Sequence, residues 1–139
     1  MIIKKATLND VKTISKIISV LNTKNYHPSD IKQIKYYISR GWYYVALYNS
    51  KIVGAMALEP TEGSYHIYSI ASKKNGVGRV LIDYAIKKCI KEKIPKLWCW
   101  SLKRYDCKGF WEKMNFEESF LLKKQWHGED CYLFGKVIK

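Results

Sequence analysis

Hydrophobic residues follow two rhythms along this chain. Val11, Ile14, Ile17, Ile18 and Leu21 recur at steps of three and four, which places them on one face of a helix. Thr7 and Asp10 stand just ahead of them in the form of a capping box, with Asp in place of the usual Glu, so a helix opens there. Ile31, Ile34 and Ile38 repeat the pattern after Pro28 and Ser29, and Gly41 ends it. A third helix is predicted over residues 77–90, where Val77, Val80, Leu81, Tyr84, Ala85 and Cys89 make a broad apolar face.

Elsewhere the pattern is that of strands. Residues 2–6 read as a short first strand. Residues 42–48 and 52–58 are apolar runs around Asn49-Ser50-Lys51, which predicts a β-hairpin. Both of its faces are largely apolar, so these strands are central and covered on both sides. Residues 59–63 read as a turn and residues 65–71 as the next strand. Beyond Pro95 a Trp-rich strand is predicted over 96–101. Residues 107–114 form a short helix that Gly109 weakens without forbidding, and residues 116–124 and 130–138 form a terminal pair of strands. Strands and helices alternate only in the second half. The fold class is therefore α/β with an α+β-like mixed sheet of about seven strands and about four helices.

A chain of 139 residues is long enough to bury one core. With no repeat, linker or low-complexity tract, residues 1–139 read as a single domain. No apolar run is long enough to span a membrane, and the N-terminal lysines are not followed by the apolar stretch of a signal peptide. The four cysteines, Cys89, Cys99, Cys107 and Cys131, form no C-x-x-C pair and have no His at zinc-ligand spacing. Reduced thiols, no metal and a cytoplasmic location are the expectation. The net charge of +13 favours an anionic partner: a phosphorylated cofactor, an acidic protein surface or a nucleic acid.

One segment gives that charge a target. Ser72-Lys73-Lys74-Asn75-Gly76-Val77-Gly78-Arg79 joins the predicted fourth strand to the third helix. Two glycines one residue apart let the backbone turn tightly and leave no side chain over the helix start. The first-turn amides lack intrahelical partners, and the helix dipole adds partial positive charge. Lys73, Lys74 and Arg79 add full charges. The segment reads as a seat for a phosphate or pyrophosphate. It is neither a P-loop, since G-x-x-x-x-G-K-[ST] is absent, nor a dinucleotide fingerprint, since Leu81 stands where the third glycine would be.

With Lys73-x-x-Gly76-x-Gly78 placed between a strand and a helix, the chain resembles the GNAT superfamily of N-acetyltransferases, whose signature there is [Q/R]-x-x-G-x-[G/A]. Phe110-Trp111-Glu112-Lys113-Met114-Asn115-Phe116 is similar to the family's F-Y-E-K-x-G-F, with Trp111 for Tyr and Asn115 for Gly. The resemblance implies a three-layer fold whose mostly antiparallel sheet splays between its fourth and fifth strands, and it implies acetyl-CoA as acyl donor. The backbone of Ile70, Ala71 and Ser72 would then bond the pantetheine arm. The amides of Lys74, Asn75, Gly76, Val77, Gly78 and Arg79 would hold the pyrophosphate, with Lys73 beside them. The link into the loop is shorter than is usual in the family.

The implied reaction is direct attack of a primary amine on the thioester in a ternary complex. The amine must first lose a proton, since its pKa is about 10.4. The oxyanion needs a backbone donor, and the leaving thiolate benefits from an acid. An indole is no useful acid, so Trp111 leaves the family's donor position vacant. Tyr105 and Tyr68 are replacement candidates, and Glu62 and His66, with Glu59, are base candidates near the start of the fourth strand. The acceptor would be an amine on an acidic protein or a small molecule, and the family allows a monomer or a homodimer. The alternative is a basic binding module of the same fold, for nucleic acid or an acidic protein, with lost or weak catalysis. The run of lysines from Lys87 to Lys108 among Trp and Tyr suits that reading, although no nucleic-acid motif is present.

Overall fold

A computed structural model describes residues 1–139. Seven strands and four α-helices follow one another as β1 (Ile2–Lys5), α1 (Val11–Ile18), α2 (Ile31–Ser39), β2 (Tyr43–Tyr48), β3 (Lys51–Thr61), β4 (Ser64–Ser72), α3 (Val77–Glu92), β5 (Lys96–Leu102), α4 (Lys108–Lys113), β6 (Glu118–Trp126) and β7 (Glu129–Val137). The strands lie in one sheet in the order β1-β2-β3-β4-β5-β7-β6. The pairs β1–β2, β2–β3, β5–β7 and β6–β7 are antiparallel, while β4 pairs with β5 in parallel. The mixed sheet expected from the order of elements is present.

The chain divides into two compact units, residues 1–59 with 68–84, and residues 60–67 with 85–139. In the first, Ile14, Ile17 and Ile18 of α1 and Ile34 of α2 are buried in one cluster with Tyr43, Val45, Ala55 and Ala57. These residues occupy alternate positions on β2 and β3, which is why they share one face. The intervening Tyr44 turns the other way, with its ring 5.1 Å from that of Tyr84 on α3. The central strands are thus covered on both faces within this unit, as their unbroken apolar runs required. The capping box is realised at the entry to α1: the Thr7 backbone N–H donates to the Asp10 carboxylate at 2.8 Å. The first turn is nonetheless a tighter 3-10 turn over Leu8–Asp10. At the far end of α2, Gly41 adopts φ +76, and the N–H groups of Gly41 and Trp42 donate back to the carbonyls of Ile38 and Tyr37. This left-handed cap lets glycine end the helix.

Two hairpins in this half of the chain turn on two residues each, Asn49-Ser50 and Glu62-Gly63, all with positive φ. That is the turn whose twist suits a hairpin. The second turn is shorter than the predicted 59–63, because β3 runs on through Pro60 to Thr61. A proline is tolerated near a strand end, where its missing donor removes little pairing.

In the second unit the core is aromatic. Trp111 stacks on Phe134 at 5.9 Å and meets Phe116 edge-on at 4.9 Å. Strand β6 begins two residues later than the pattern predicted, for a reason visible at the end of α4. The N–H of Asn115 donates to the Glu112 carbonyl and that of Phe116 to the Trp111 carbonyl, while Asn115 sits at φ +64. Phe116 therefore closes a helix cap, with its ring against Trp111, before the strand starts. Asn replaces the family's glycine here because asparagine tolerates the left-handed region better than most residues do.

Candidate functional site

The loop between β4 and α3 lies wholly within the first unit. Its entry is fixed by the Lys73 N–H, which donates to the Val53 carbonyl on β3 at 2.8 Å, and the Val77 N–H donates to the Lys74 carbonyl at 3.4 Å. The Ser72 hydroxyl donates to the Lys74 carbonyl at 3.3 Å. Gly76 has φ +86, and a Cβ built there would meet nothing within 4 Å. The residue leaves open space above the helix start, where a bulky anion would fit. Val77 is fully buried, whereas Lys73, Lys74, Asn75 and Arg79 are exposed. The loop thus hangs on one apolar anchor and leaves its cations exposed. Gly78 and Arg79 fall in the first turn of α3 and have no carbonyl four residues back within the helix.

Gly54 on β3 explains how the anchor fits. A Cβ at that position would stand 2.6 Å from Val77 Cγ1 and 3.3 Å from Leu81 Cδ1. Only a residue without a side chain lets α3 come this close to the sheet. On α3, Leu81, Ala85 and Cys89 are fully buried as expected. Val80 and Tyr84 are only half-buried, while Ile82, outside the expected face, is fully buried.

Ile70 is half-buried and Ala71 buried on the last part of β4. The parallel register between β4 and β5 is recorded at Tyr65↔Leu97 and His66↔Trp98, and the strands continue to Ser72 and Leu102. So short a register is consistent with the parting of these strands that the family resemblance implied.

Of the catalytic candidates, Glu62, His66 and Tyr105 fall in the second unit, and Glu59 and Tyr68 in the first. Glu62 is exposed in the hairpin turn at φ +48. His66 is half-buried, its ring stacked on Trp98 at 4.2 Å and 14°. Tyr105 closes a 3-10 turn after β5. Burial, then the Glu129 carboxylate, pushes its phenol up to about 12, against a lowering by Arg104. Tyr105 therefore stays protonated through neutral pH. Trp111 is 4% exposed and packs among phenylalanines, so tryptophan there fills a core. All four thiols are free, and burial is the first cause raising each of them. None supplies a thiolate nucleophile at neutral pH. No group of three or more His, Cys, Asp or Glu side chains comes together to hold a metal ion. No helix is long and apolar enough to cross a membrane.

Two groupings escaped the sequence pattern, both in the first unit. In one, Tyr37 donates to the Glu59 carboxylate at 3.2 Å, Tyr68 donates to Gln33 at 3.1 Å and Tyr26 donates to the Tyr68 carbonyl at 3.3 Å. Burial, followed by the charge of Glu59, raises the Tyr37 phenol well above its usual range. In the other, the Lys74 ammonium lies 4.2 Å from the centre of the Tyr48 ring. Their members come from separate helices, strands and loops, so no spacing in the sequence announces them.

A family model for the acetyltransferase (GNAT) family matches residues 12–116. No curated protein sequence shows a significant match. Among solved structures, Ard1 from Thermoplasma volcanium superimposes with a TM-score of 0.85 at 16% identity, covering 99% of this chain and 97% of that one. The ribosomal-protein-S18-alanine N-acetyltransferase of Escherichia coli does so at 0.81 and 16%, covering 99% and 94%. The PaiA N-acetyltransferase from Thermoplasma acidophilum, solved in complex with coenzyme A, gives 0.75 at 14%, covering 98% of each chain. At these identities the likeness shows a shared fold.

Proposed function

The chain belongs to the acetyltransferase (GNAT) family, and on that premise we propose that it moves an acetyl group from acetyl-CoA to a primary amine by direct attack in a ternary complex. The observation that carries this reading is the loop over residues 72–79. It is tied to β3 at Lys73, open above Gly76 and flanked by exposed cations. Backbone amides from Lys74 to Arg79 would hold the pyrophosphate, and Lys73, Lys74 and Arg79 would add charge-assisted contacts. The backbone of Ile70, Ala71 and Ser72 would take the pantetheine arm.

The remaining chemistry is proton handling. His66 and Glu62 are the proposed acceptors of the amine proton. Tyr105 is the proposed partner of the departing thiolate. A phenol near 12 does not protonate a thiolate of pKa about 8.5 downhill, so its contribution is a hydrogen bond that stabilises the charge as it develops. A thiolate leaves well enough without full protonation.

Acetyl-CoA and CoA should each raise the thermal stability of the protein, and ADP should raise it less. A ligand present at 100 times its dissociation constant adds about 2.7 kcal/mol. No shift with either CoA species at millimolar concentration would remove the enzyme reading.

A second reading has its own observation. Trp100, Phe120 and Trp126 are exposed in the second unit, where Lys103, Arg104, Lys123 and Lys124 are exposed as well. Aromatic rings among cations suit stacking and phosphate tracking on a single-stranded nucleic acid. This module would bind oligonucleotides with an affinity that falls steeply as salt rises. Absence of binding at low salt discards it.

A further inference from the structure

The second unit holds a groove of about 730 Å³, within the range of about 300–1,000 Å³ usual for small-molecule sites. Its apolar wall is built by Ile86 and Ile90, one helical turn apart on α3, with Phe116, Val137 and Ile138. Ile90 is 55% exposed and Val137 45%. The segment that carries Val137 is pinned. The Val137 N–H donates to the Glu117 carboxylate at 2.8 Å, and the Ile138 N–H donates to the Pro95 carbonyl at 2.9 Å. These bonds hold the apolar wall in shape.

The charged residues of the groove are Glu112, Glu117, Lys136 and Lys139. The signs balance, on a chain whose net charge is +13. A plain anion finds no excess of positive charge here, whereas a zwitterion finds both signs. Ser119 lines the groove too. It is the direct partner of Phe134 across β6 and β7, and Phe134 and Lys136 alternate to the same side of β7. Ser119 and Lys136 are therefore diagonal neighbours on one face of the sheet. The Lys136 ammonium donates to the Asn115 carbonyl at 3.0 Å, which holds it in place with two further N–H groups to offer. Ser119 is half-buried, and its hydroxyl is buried without a hydrogen-bond partner. Such a group costs stability until it finds one. Rotation about χ1 carries a serine hydroxyl between staggered positions, so a carboxylate lying on Lys136 can supply the missing partner.

We propose that this groove binds a small zwitterion with an aliphatic body, the chemistry of an apolar amino acid or dipeptide. Lys136 and Ser119 take its carboxylate, Glu112 takes its ammonium, and Ile86, Ile90 and Val137 cover its side chain. The groove lies wholly within the second unit, whereas the loop over residues 72–79 lies in the first. The site therefore stands whether or not the acetyl-transfer reading does.

Nitrogen-15 NMR titration of the full chain tests it with four probes: leucine, leucyl-leucine, isovalerate, which lacks the ammonium, and isoamylamine, which lacks the carboxylate. Leucine or leucyl-leucine should shift the amides of residues 86–90, 117–119 and 136–138 in a saturable way, and the tighter of the two identifies the source. Each singly charged probe should bind about tenfold more weakly, the scale of one charge-assisted contact. Lys136→Gln should lose about tenfold for the zwitterion and little for isoamylamine. Ser119→Ala should also bind the zwitterion more weakly, yet unfold in urea no earlier than wild type, because its hydroxyl has no partner to lose. Shifts confined to residues 72–79, equal binding of all four probes, or unchanged binding in both variants overturns the proposal. So does movement of the same amides on diluting the protein alone, which would give the groove to a second copy of the chain.

Discussion

Replacing Trp111 with alanine should destabilise the protein by about 4 kcal/mol, the cost of emptying a large aromatic site in a packed core. Trp111 is 4% exposed and touches three rings: it stacks on Phe134 at 5.9 Å and meets Phe116 and Phe110 edge-on at 4.9 and 5.2 Å. Its carbonyl also accepts the Phe116 N–H that closes α4, so loss of the ring loosens the cap by removing the contact that accompanies it. Urea unfolding followed by circular dichroism measures the change. Trp111→Phe is the informative companion, because it keeps an aromatic ring in place and removes the indole N–H. It should cost far less stability and leave turnover nearly unchanged. A Phe variant that folds as wild type but loses turnover would show that the indole takes part in the chemistry.

Gly76→Asp should weaken acetyl-CoA binding by about 100-fold or more while changing stability little. A Cβ at this position meets no protein atom, so the variant suffers no steric clash in the free protein. The φ of +86 strains any L side chain by about 1–2 kcal/mol. A carboxylate at a helix start returns about 0.3–1 kcal/mol through the helix dipole. With ligand present the balance should reverse: the side chain would fill the space proposed for the pyrophosphate and set negative charge against it, worth about 1–4 kcal/mol at contact distance. Gly76→Asn separates the contributions, since it carries the same bulk with better tolerance of positive φ and no charge. It should lose about tenfold. Titration of both variants with acetyl-CoA reads the difference. If Gly76→Asp binds as tightly as wild type, the pyrophosphate does not sit on this loop.

Much of the architecture was legible because each element carries a local signal. The three-and-four spacing of Val11, Ile14, Ile17 and Ile18 marked α1, and all four are buried. Asn49-Ser50 between apolar runs marked the hairpin, and both residues take the positive φ that such a turn needs. Boundaries were less legible where a tertiary contact moves them. Phe116 looks like the first residue of a strand, but its N–H bonds to the Trp111 carbonyl and its ring packs on Trp111. Ile82 lies outside the apolar face drawn for α3 and is fully buried all the same, because burial follows what the helix packs against and not spacing alone.

The candidate site divides the same way. Gly76 and Gly78 between a strand and a helix were readable as an anion seat, since a tight turn, free amides and adjacent cations are all local properties. The place of Trp111 in its motif was readable too, and so was the expectation that an indole could not serve as an acid. What an indole does there was not readable. That depended on Phe134, which is far along the chain and on another strand.

The sequence by itself determined the order of elements and the mixed character of the sheet, and it marked residues 72–79 as a candidate anion seat, because periodicity, turn chemistry and helix-start electrostatics act over a few neighbouring residues. The tertiary structure alone decided that α3 docks through the missing side chain of Gly54, that Trp111 is core and that the Lys74 ammonium lies over the Tyr48 ring. Each of these depends on groups distant in sequence being brought within a few ångströms, and no local pattern records that distance.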